Sequence, residues 1–501
     1  MVEEQKRKNG KRNLRGCKMR KILFLLFIFP LSVFAGQIGD DVEYSGYIKN
    51  EVWFRTNTDT SHQFLTSFKN TFDIGIEYKI NDDWTFFFHP RYFYDFAYDI
   101  RDDDVFDRNQ EIMGHTYQDE WLRDCYFDYI SDNLDLRLGK QQVVWGQMDV
   151  PILDRVMPID LTNWFLPDLA DMRIPLWMVK LEYSPWVNST IQALFIPDFE
   201  ASRVAPPGAP FSFAAYNAFY DLQQSLPQIV DPGPPPVYLN NIFVDSKTPP
   251  GQFENSTFGL RWRSMIEDLE YTLNWLYGYS TSAYLYTDPT VSVFSIFPPP
   301  PPGEVNSDGY RSRRHKRIQM AGFSFAKTLV NPGPFEGLTL KGEFAYIHDE
   351  PTYYGTSGSR EMTRASDKYN WGFALEKNIV TNWLVNFQFL QFIADRRTMI
   401  DPSTGISYRI LDTSTYGVID KIENVYVVKI MTDFMHERLK PEITIVYQDD
   451  NQGRIVPKVV YELRDNIWLK LGYAHFFGRP DSSNGQFRNR DLLMFEVKYT
   501  F

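Results

Sequence analysis

The sequence predicts an all-β fold, a transmembrane antiparallel β-barrel of about 18 strands (roughly 16 to 18), and three observations carry this prediction. About 18 segments alternate apolar and polar residues along the chain. Their connections alternate between short turns and long irregular loops. Beyond residue 35 there is no apolar run long enough for a membrane-spanning helix. Because hydrocarbon offers no partner for a peptide N–H or C=O, strands that cross it must close into a barrel.

Residues 1–35 are predicted to be an N-terminal extension followed by a signal peptide. The apolar run 22–34 follows the basic residues Arg20 and Lys21 and ends in small residues before Gly36, which is typical of a secretory signal. A short membrane anchor is the less favoured alternative, since no stop-transfer pattern follows. We expect the true start at Met19 and a single barrel domain over 36–501.

The charge of the exported part excludes some classes of partner. Residues 1–35 hold nine of the 52 Lys and Arg and two of the 64 Asp and Glu, so residues 36–501 carry a formal net charge of −19. A nucleic-acid partner is not expected, because such proteins present a basic face. The short basic run 312–317 is read as a solvated loop. Cys125 is the only cysteine after residue 35, and we find no spacing for a disulfide, a metal or a haem group.

The segment 69–96 shows the predicted strand pattern most clearly. Apolar residues alternate with polar ones over 69–80, a turn follows at 81–83, and the alternation resumes over 84–96, which predicts a hairpin. In a barrel the polar row faces the lumen, where side chains set charge and size selectivity. The predicted lumen-lining residues are Asp73, Glu77, Lys79, His89, Arg91, Asp95 and Lys140. For most of them a merely solvated wall is an equally simple interpretation.

The two ends of the chain and the loop pattern set its orientation. An even number of strands places both chain ends on the short-turn side, which faces the periplasm in outer-membrane barrels. The final strand 491–501 alternates and ends on Phe501, a pattern typical of the signal that the barrel assembly machinery recognises. Expected partners are therefore outer-membrane lipid and lipopolysaccharide, that machinery and a small-molecule solute, with an oligomer possible. A soluble periplasmic sandwich or propeller is the alternative, although its strands should be shorter.

The third long connection is unusual because it is both proline-rich and apolar. Residues 147–176 contain prolines at 151, 158, 167 and 175, which prevent a continuous strand or helix, while their apolar side chains require burial. We expect an inward-folded third extracellular loop that narrows the lumen. The predicted constriction residues are Asp149, Asp154, Arg155, Asp160, Trp164, Asp168, Asp171 and Arg173. Arg155 and Arg173 meet either a solute or, as we favour, neighbouring carboxylates.

Residues 126–184 resemble a family of uncharacterised Gram-negative outer-membrane proteins known only as a domain of unknown function. The likeness weakens over the other strands and is absent from the proline-rich loops. It implies a porin-like barrel whose solute is unassigned, and it carries no catalytic residue. The residues that match are Gly139, Lys140, Gln141, Trp145, Gly146, Asp154, Arg155, Pro158, Asp160, Leu161, Arg173, Ile174 and Pro175.

These observations together predict a channel for passive or substrate-selective uptake of small solutes, with organic or weakly polar solutes suggested by the aromatic loop. We find no catalytic constellation and expect neither an enzyme nor a cofactor. Two alternatives stay open. One is a barrel that sheathes an exported redox or lipoprotein partner. The other is a surface receptor or adhesin built on the long loops 197–255 and 280–316.

Overall fold

A computed structural model gives the structure of the chain. It describes residues 36–56, 64–100, 121–206, 209–214, 229–231, 237–238, 243–249, 253–287, 311–330, 333–355, 361–400, 405, 407–412, 414–415 and 418–501. The predicted signal peptide and about half of the two long loops 197–255 and 280–316 lie outside these residues. Among the helices described, none is long and apolar enough to span a membrane.

Eighteen antiparallel strands of the described chain form one closed sheet. In chain order they are β1 (Val42–Arg55), β2 (Leu65–Lys79), β3 (Trp84–Asp95), β4 (Leu122–Ile130), β5 (Leu134–Gln141), β6 (Leu176–Trp186), β7 (Ser189–Ile196), β8 (Thr257–Ile266), β9 (Leu269–Tyr279), β10 (Arg317–Thr328), β11 (Thr339–Gly355), β12 (Glu361–Val380), β13 (Trp383–Ala394), β14 (Ile422–Met431), β15 (Leu439–Gln448), β16 (Gln452–Arg464), β17 (Ile467–Phe477) and β18 (Leu492–Thr500). Each strand pairs with its neighbours in sequence, which confirms the predicted fold class.

The barrel closes between its first and last strands. β18 pairs with β1, with Thr500 opposite Tyr47 and Leu492 opposite Arg55. Gly46 and Phe501 then exchange two backbone hydrogen bonds of 2.7 and 2.9 Å. This pairing provides hydrogen-bond partners for the backbone groups that the two edges of an open sheet would leave exposed. The start of β1 and the end of β18 therefore lie on the short-turn side, as an even strand number requires.

The two faces of the wall have opposite polarity. On β9, Thr272 is fully buried while its neighbour Leu273 is 50% exposed, and on β10 Ser324 is 1% exposed beside Phe323 at 45%. Thr272 and Ser324 share a hydrogen bond of 2.7 Å across the inner face. Since successive side chains of a strand point to opposite faces, the alternating pattern places polar groups inside and apolar groups outside, as a lipid-facing barrel requires.

Aromatic rings mark the short-turn rim. The Trp84 and Tyr129 rings lie 5.0 Å apart, and those of Trp383 and Phe434 lie 6.5 Å apart. Such rings suit the interface between hydrocarbon and water. Trp468, by contrast, pairs with Lys498 in the register of β17 and β18 and thus belongs to the inner row that contains Glu496.

Candidate functional site

Loop 3, defined here as residues 142–175, lies inside the barrel rather than above it. Trp145 and Leu153 are fully buried, and they form one apolar cluster with inner-row side chains of distant strands, including Met320, Ile347 and Leu390. The Trp145 indole N–H also donates to Gln192 Oε1 at 2.8 Å. Burial of these side chains supplies the driving force for the inward fold, as the sequence predicts.

A single carboxylate on β11 fixes the start of loop 3. Glu343 is buried and accepts four backbone N–H bonds, from Gln147 (2.5 Å) and Met148 (2.8 Å) on one oxygen and from Ile152 (2.7 Å) and Leu153 (3.1 Å) on the other. The proline-interrupted loop cannot satisfy these N–H groups in a helix or strand. The carboxylate therefore replaces regular secondary structure as their partner.

The two loop arginines meet protein carboxylates. Arg173 Nη2 lies 2.7 Å from Asp154 Oδ2, and Arg155 Nη1 lies 3.0 Å from Glu350 Oε1. The other oxygen of Glu350, Oε2, lies 3.2 Å from Lys368 Nζ. This is the arrangement that the sequence favoured. Burial raises the pKa of Asp154, and the Arg173 guanidinium opposes that shift. Both arginines hold the loop in place through ion pairs with protein carboxylates.

The end of loop 3 is held by a second apolar cluster. Trp164 is buried, its ring lies 5.3 Å from that of Phe487 and 5.6 Å from that of Phe213, and its indole N–H donates to Asn484 Oδ1 at 3.0 Å. Residues before β18, together with Ala205 and residues 209–213, thus cover this part of the loop. The loop is anchored at both ends.

Between loop 3 and the wall lies a cavity of about 540 Å³, called here the lumen cavity. Its size falls within the range of about 300–1,000 Å³ that small-molecule sites occupy. Four predicted loop residues line it, together with the apolar Val150 and Phe165. These four are Asp149, Asp160, Asp168 and Asp171.

Charges of opposite sign face each other across the lumen cavity. Among the described residues that line it, all nine Lys and Arg side chains come from strands, whereas four of the eight acidic side chains come from loop 3. The basic residues are Lys49, Lys69, Arg91, Arg123, Lys429, Arg454, Lys458, Lys470 and Lys498. The remaining acids are Glu51, Asp95, Glu442 and Glu496. The nearly equal numbers of basic and acidic side chains argue against strong selection by net charge. A solute that passes between the basic wall and the acidic loop nevertheless crosses an electric field directed from one to the other.

Three of the predicted lumen-lining residues, Asp73, His89 and Arg91, form part of a network on β2 and β3. Arg91 lies 2.6 Å from Asp73 and 2.9 Å from Asp171 of loop 3, while His89 contacts Asp73 (2.9 Å) and Asp124 (3.1 Å). Burial disfavours the charged form of Asp171, but Arg91, followed by Lys49, holds the pKa of this carboxyl below 3.8. The network ties the acidic face of the loop to the basic wall.

Asp95 lines the lumen cavity in a more structural position. Its carboxylate accepts hydrogen bonds from Ser67 Oγ at 2.6 Å and from the backbone N–H groups of Phe68 and Ala97 at 2.7 and 3.0 Å. These contacts fix the end of β3, where the wall gives way to the second long loop.

Several predicted site residues lie elsewhere. The register pairs Lys140 with Cys125 and with the exposed Trp177, so its side chain is on the outer face, because the inner row of β5 runs through Arg137 and Gly139. Lys79 lies at the short-turn rim, 3.3 Å from Asp82. Glu77 is exposed near the same end of β2, at the mouth of the barrel and away from the lumen cavity.

The predicted constriction set divides into two groups. Asp154, Arg155, Trp164 and Arg173 pack behind the loop surface and do not line the lumen cavity. We expected all the apolar loop residues to be buried. Val150 and Phe165 are 40% and 38% exposed, toward the lumen cavity that they line.

Sequence reasoning missed the anchor Glu343 and most of the basic wall. These residues are polar positions in strands whose side chains alternate between the two faces. Examples are Lys49 and Glu51 on β1 and Glu343 on β11. The alternation could have identified them as inner-row residues. Which inner row meets loop 3 depends on strand order around the barrel, and a single strand pattern does not contain that information.

A small polar cluster lies on the outer face near the long-loop end. Ligand atoms of His348, Asp349 and Asp367 lie within 4.8 Å of one another. Asp367 already accepts from Tyr346 (2.8 Å) and bonds His348 Nδ1 (2.8 Å), while Lys316 lies 3.4 Å from Asp349. Protein partners thus account for these groups without an ion.

Comparison with known proteins gives a family and a set of similar folds. The family model described as "Protein of unknown function (DUF1302)" matches residues 54–501. No curated protein matches the sequence significantly.

Among solved structures, the chain is similar to OccAB4 of Acinetobacter baumannii, with 11% identity, 92% of this chain and 98% of that chain covered, and a TM-score of 0.47. It is similar to OccK3 (OpdO) of Pseudomonas aeruginosa, with 10% identity, coverage of 92% and 96%, and a TM-score of 0.48. It is also similar to Pseudomonas aeruginosa OpdK, solved with vanillate, with 8% identity, coverage of 93% and 100%, and a TM-score of 0.46.

Proposed function

We propose that this chain, which belongs to the DUF1302 family, is an outer-membrane channel for small solutes that loop 3 narrows. The family description assigns no activity, so the proposal is made from the geometry of the barrel. The family match confirms the resemblance of residues 126–184 to such a domain. The outer membrane follows as a proposal from the apolar outer face and the aromatic rim. Contact with lipopolysaccharide, assembly through β18 and any oligomer are proposals of the same kind.

The observation that carries this proposal is the lumen cavity itself. It lies inside a barrel with an apolar outer face, its wall is basic and its loop face is acidic. Charged inner walls around a constriction are how channels select their solutes. The exposed Val150 and Phe165 add an apolar surface to this charged passage. We infer that small polar or amphiphilic organic solutes pass beside loop 3.

The structure disfavours the barrel sheath as an alternative. In the part of the chain that is described, loop 3 contacts wall strands as far apart as β7, β11 and β13. A segment that crosses the lumen in this way leaves little room for a second protein chain. The receptor or adhesin hypothesis rests on loops of which about half lies outside the described residues, and it stays a sequence-based alternative.

Reconstitution tests the proposal. Purified protein, checked for heat-modifiable gel migration as evidence of a folded barrel, is inserted into planar bilayers and liposomes. We expect discrete conductance steps in KCl and the release of small sugars with a size cutoff. The deletion of residues 151–173 should give larger and less selective flux. Neither conductance nor flux from folded wild-type protein would refute the channel.

A further inference from the structure

The cations that line the lumen cavity differ in whether a carboxylate lies beside them. Lys49 and Lys69 each lie 3.3 Å from Glu51, Lys458 lies 3.1 Å from Glu442, and Lys470 lies 3.3 Å from Glu496. Arg454 is different. Among the residues that the structure describes, none places a carboxylate oxygen within 4.0 Å of its guanidinium.

Neutral groups hold Arg454 in a fixed position. Its Nη1 donates to Asn484 Oδ1 at 3.3 Å, an oxygen that also accepts from the Trp164 indole. Its guanidinium carbon lies 5.2 Å from the centre of the Phe165 ring. An amide oxygen and a ring face orient the positive charge but do not cancel it. The guanidinium has five N–H donors, of which the described contacts use one.

Holding a guanidinium without a nearby carboxylate in a partly enclosed site costs desolvation free energy, which a bound anion can offset. A carboxylate or a phosphate group suits it, because the guanidinium fork matches two oxygens of either. Phe165, which orients the guanidinium, is itself partly exposed to the lumen cavity, and Val150 lines the same space. One site thus combines a cationic head with apolar surface.

We propose that Arg454 binds the carboxylate of a small organic anion whose apolar body lies against Phe165 and Val150 during passage. This inference rests on the proposed channel function and names its solute class. Lys498 also lacks a described carboxylate within 4.0 Å and lies 4.2 Å from the centre of the Tyr47 ring. It lies at the other end of the strand rows, toward the short turns, and offers a second cationic site further along the passage.

Block of single-channel KCl current by an added solute measures this binding. The probes are benzoate, its neutral isostere benzamide, and inorganic phosphate. In the wild type, benzoate should block at a lower concentration than either of the others. Arg454→Gln should raise the half-blocking benzoate concentration about tenfold, the loss expected for one charge-assisted hydrogen bond, while benzamide block stays within about twofold. Arg454→Lys, which retains the charge, should recover part of the affinity.

Arg396→Gln serves as the control, because it removes the same charge from an exposed position beside Asp395. It should leave benzoate block unchanged. A conducting wild type with equal benzoate block in Arg454→Gln would overturn this inference and leave the channel intact. Equal block by phosphate and benzoate would overturn the organic-solute part. A folded wild type without conductance would overturn the channel function and this inference with it.

Discussion

Replacement of Glu343 by Gln should release loop 3 from the wall without unfolding the barrel. The carboxylate accepts four backbone N–H bonds of 2.5 to 3.1 Å, two on each oxygen. A Gln side chain keeps one acceptor oxygen and presents an NH₂ group to the other two N–H donors. Two buried N–H groups then lose their partner, at a cost of about 1–3 kcal/mol each.

The expected destabilisation of loop docking is therefore about 2–6 kcal/mol. Even the lower value raises the population of the undocked loop by about 30-fold. Hydrogen–deuterium exchange of the 147–153 amides should accelerate by at least that factor, and single-channel current should become larger and noisier. Glu376→Gln is the matched control, since this inner-row carboxylate contacts Lys341 and Asn386. Unchanged exchange in Glu343→Gln, with a folded barrel, would refute the anchoring role.

Two further predictions concern the loop surface. The pKa of Asp171 lies below 3.8 in the native protein, so its contribution to docking is complete above that pH and is lost as pH falls through the lower native pKa. Conductance should stay constant from neutral pH to about pH 4 and change on further acidification, whereas Asp171→Asn should already differ from the wild type at pH 7. Phe165→Ala should widen the lumen cavity and raise conductance while loop 3 stays docked. Leu153→Ala, at a fully buried position, should cost about 2–5 kcal/mol of packing free energy and accelerate hydrogen–deuterium exchange of the loop amides. Identical conductance and exchange in these two variants would contradict the division between lining and supporting residues.

The barrel could be predicted from the sequence because its constraints are local. Each strand shows a period of two, and short turns such as 131–133 and 267–268 lie where turn residues interrupt it. The strand count and the short-turn side follow from these patterns alone. The inward fold of loop 3 was also accessible, because prolines and apolar side chains together leave few places for such a segment.

The composition of the site was less accessible, because it depends on pairings between distant residues. Arg454 and Phe165 meet only after 16 strands are ordered around the lumen, and Glu343 reaches loop 3 from almost 200 residues away. Lys140 shows the limit of polarity as a guide. Near the long-loop end of β5 a charged side chain can lie on the outer face at the membrane–water interface. The polarity of Lys140 therefore does not show whether its side chain faces the lumen or the outside.

The most direct test of the account compares the planar-bilayer conductance of folded wild-type protein with that of the variant that lacks residues 151–173. We predict discrete conductance from both, with larger steps and weaker discrimination between solutes in the deletion. Absence of conductance from both folded proteins would contradict the channel. Equal steps from both would contradict the constriction by loop 3.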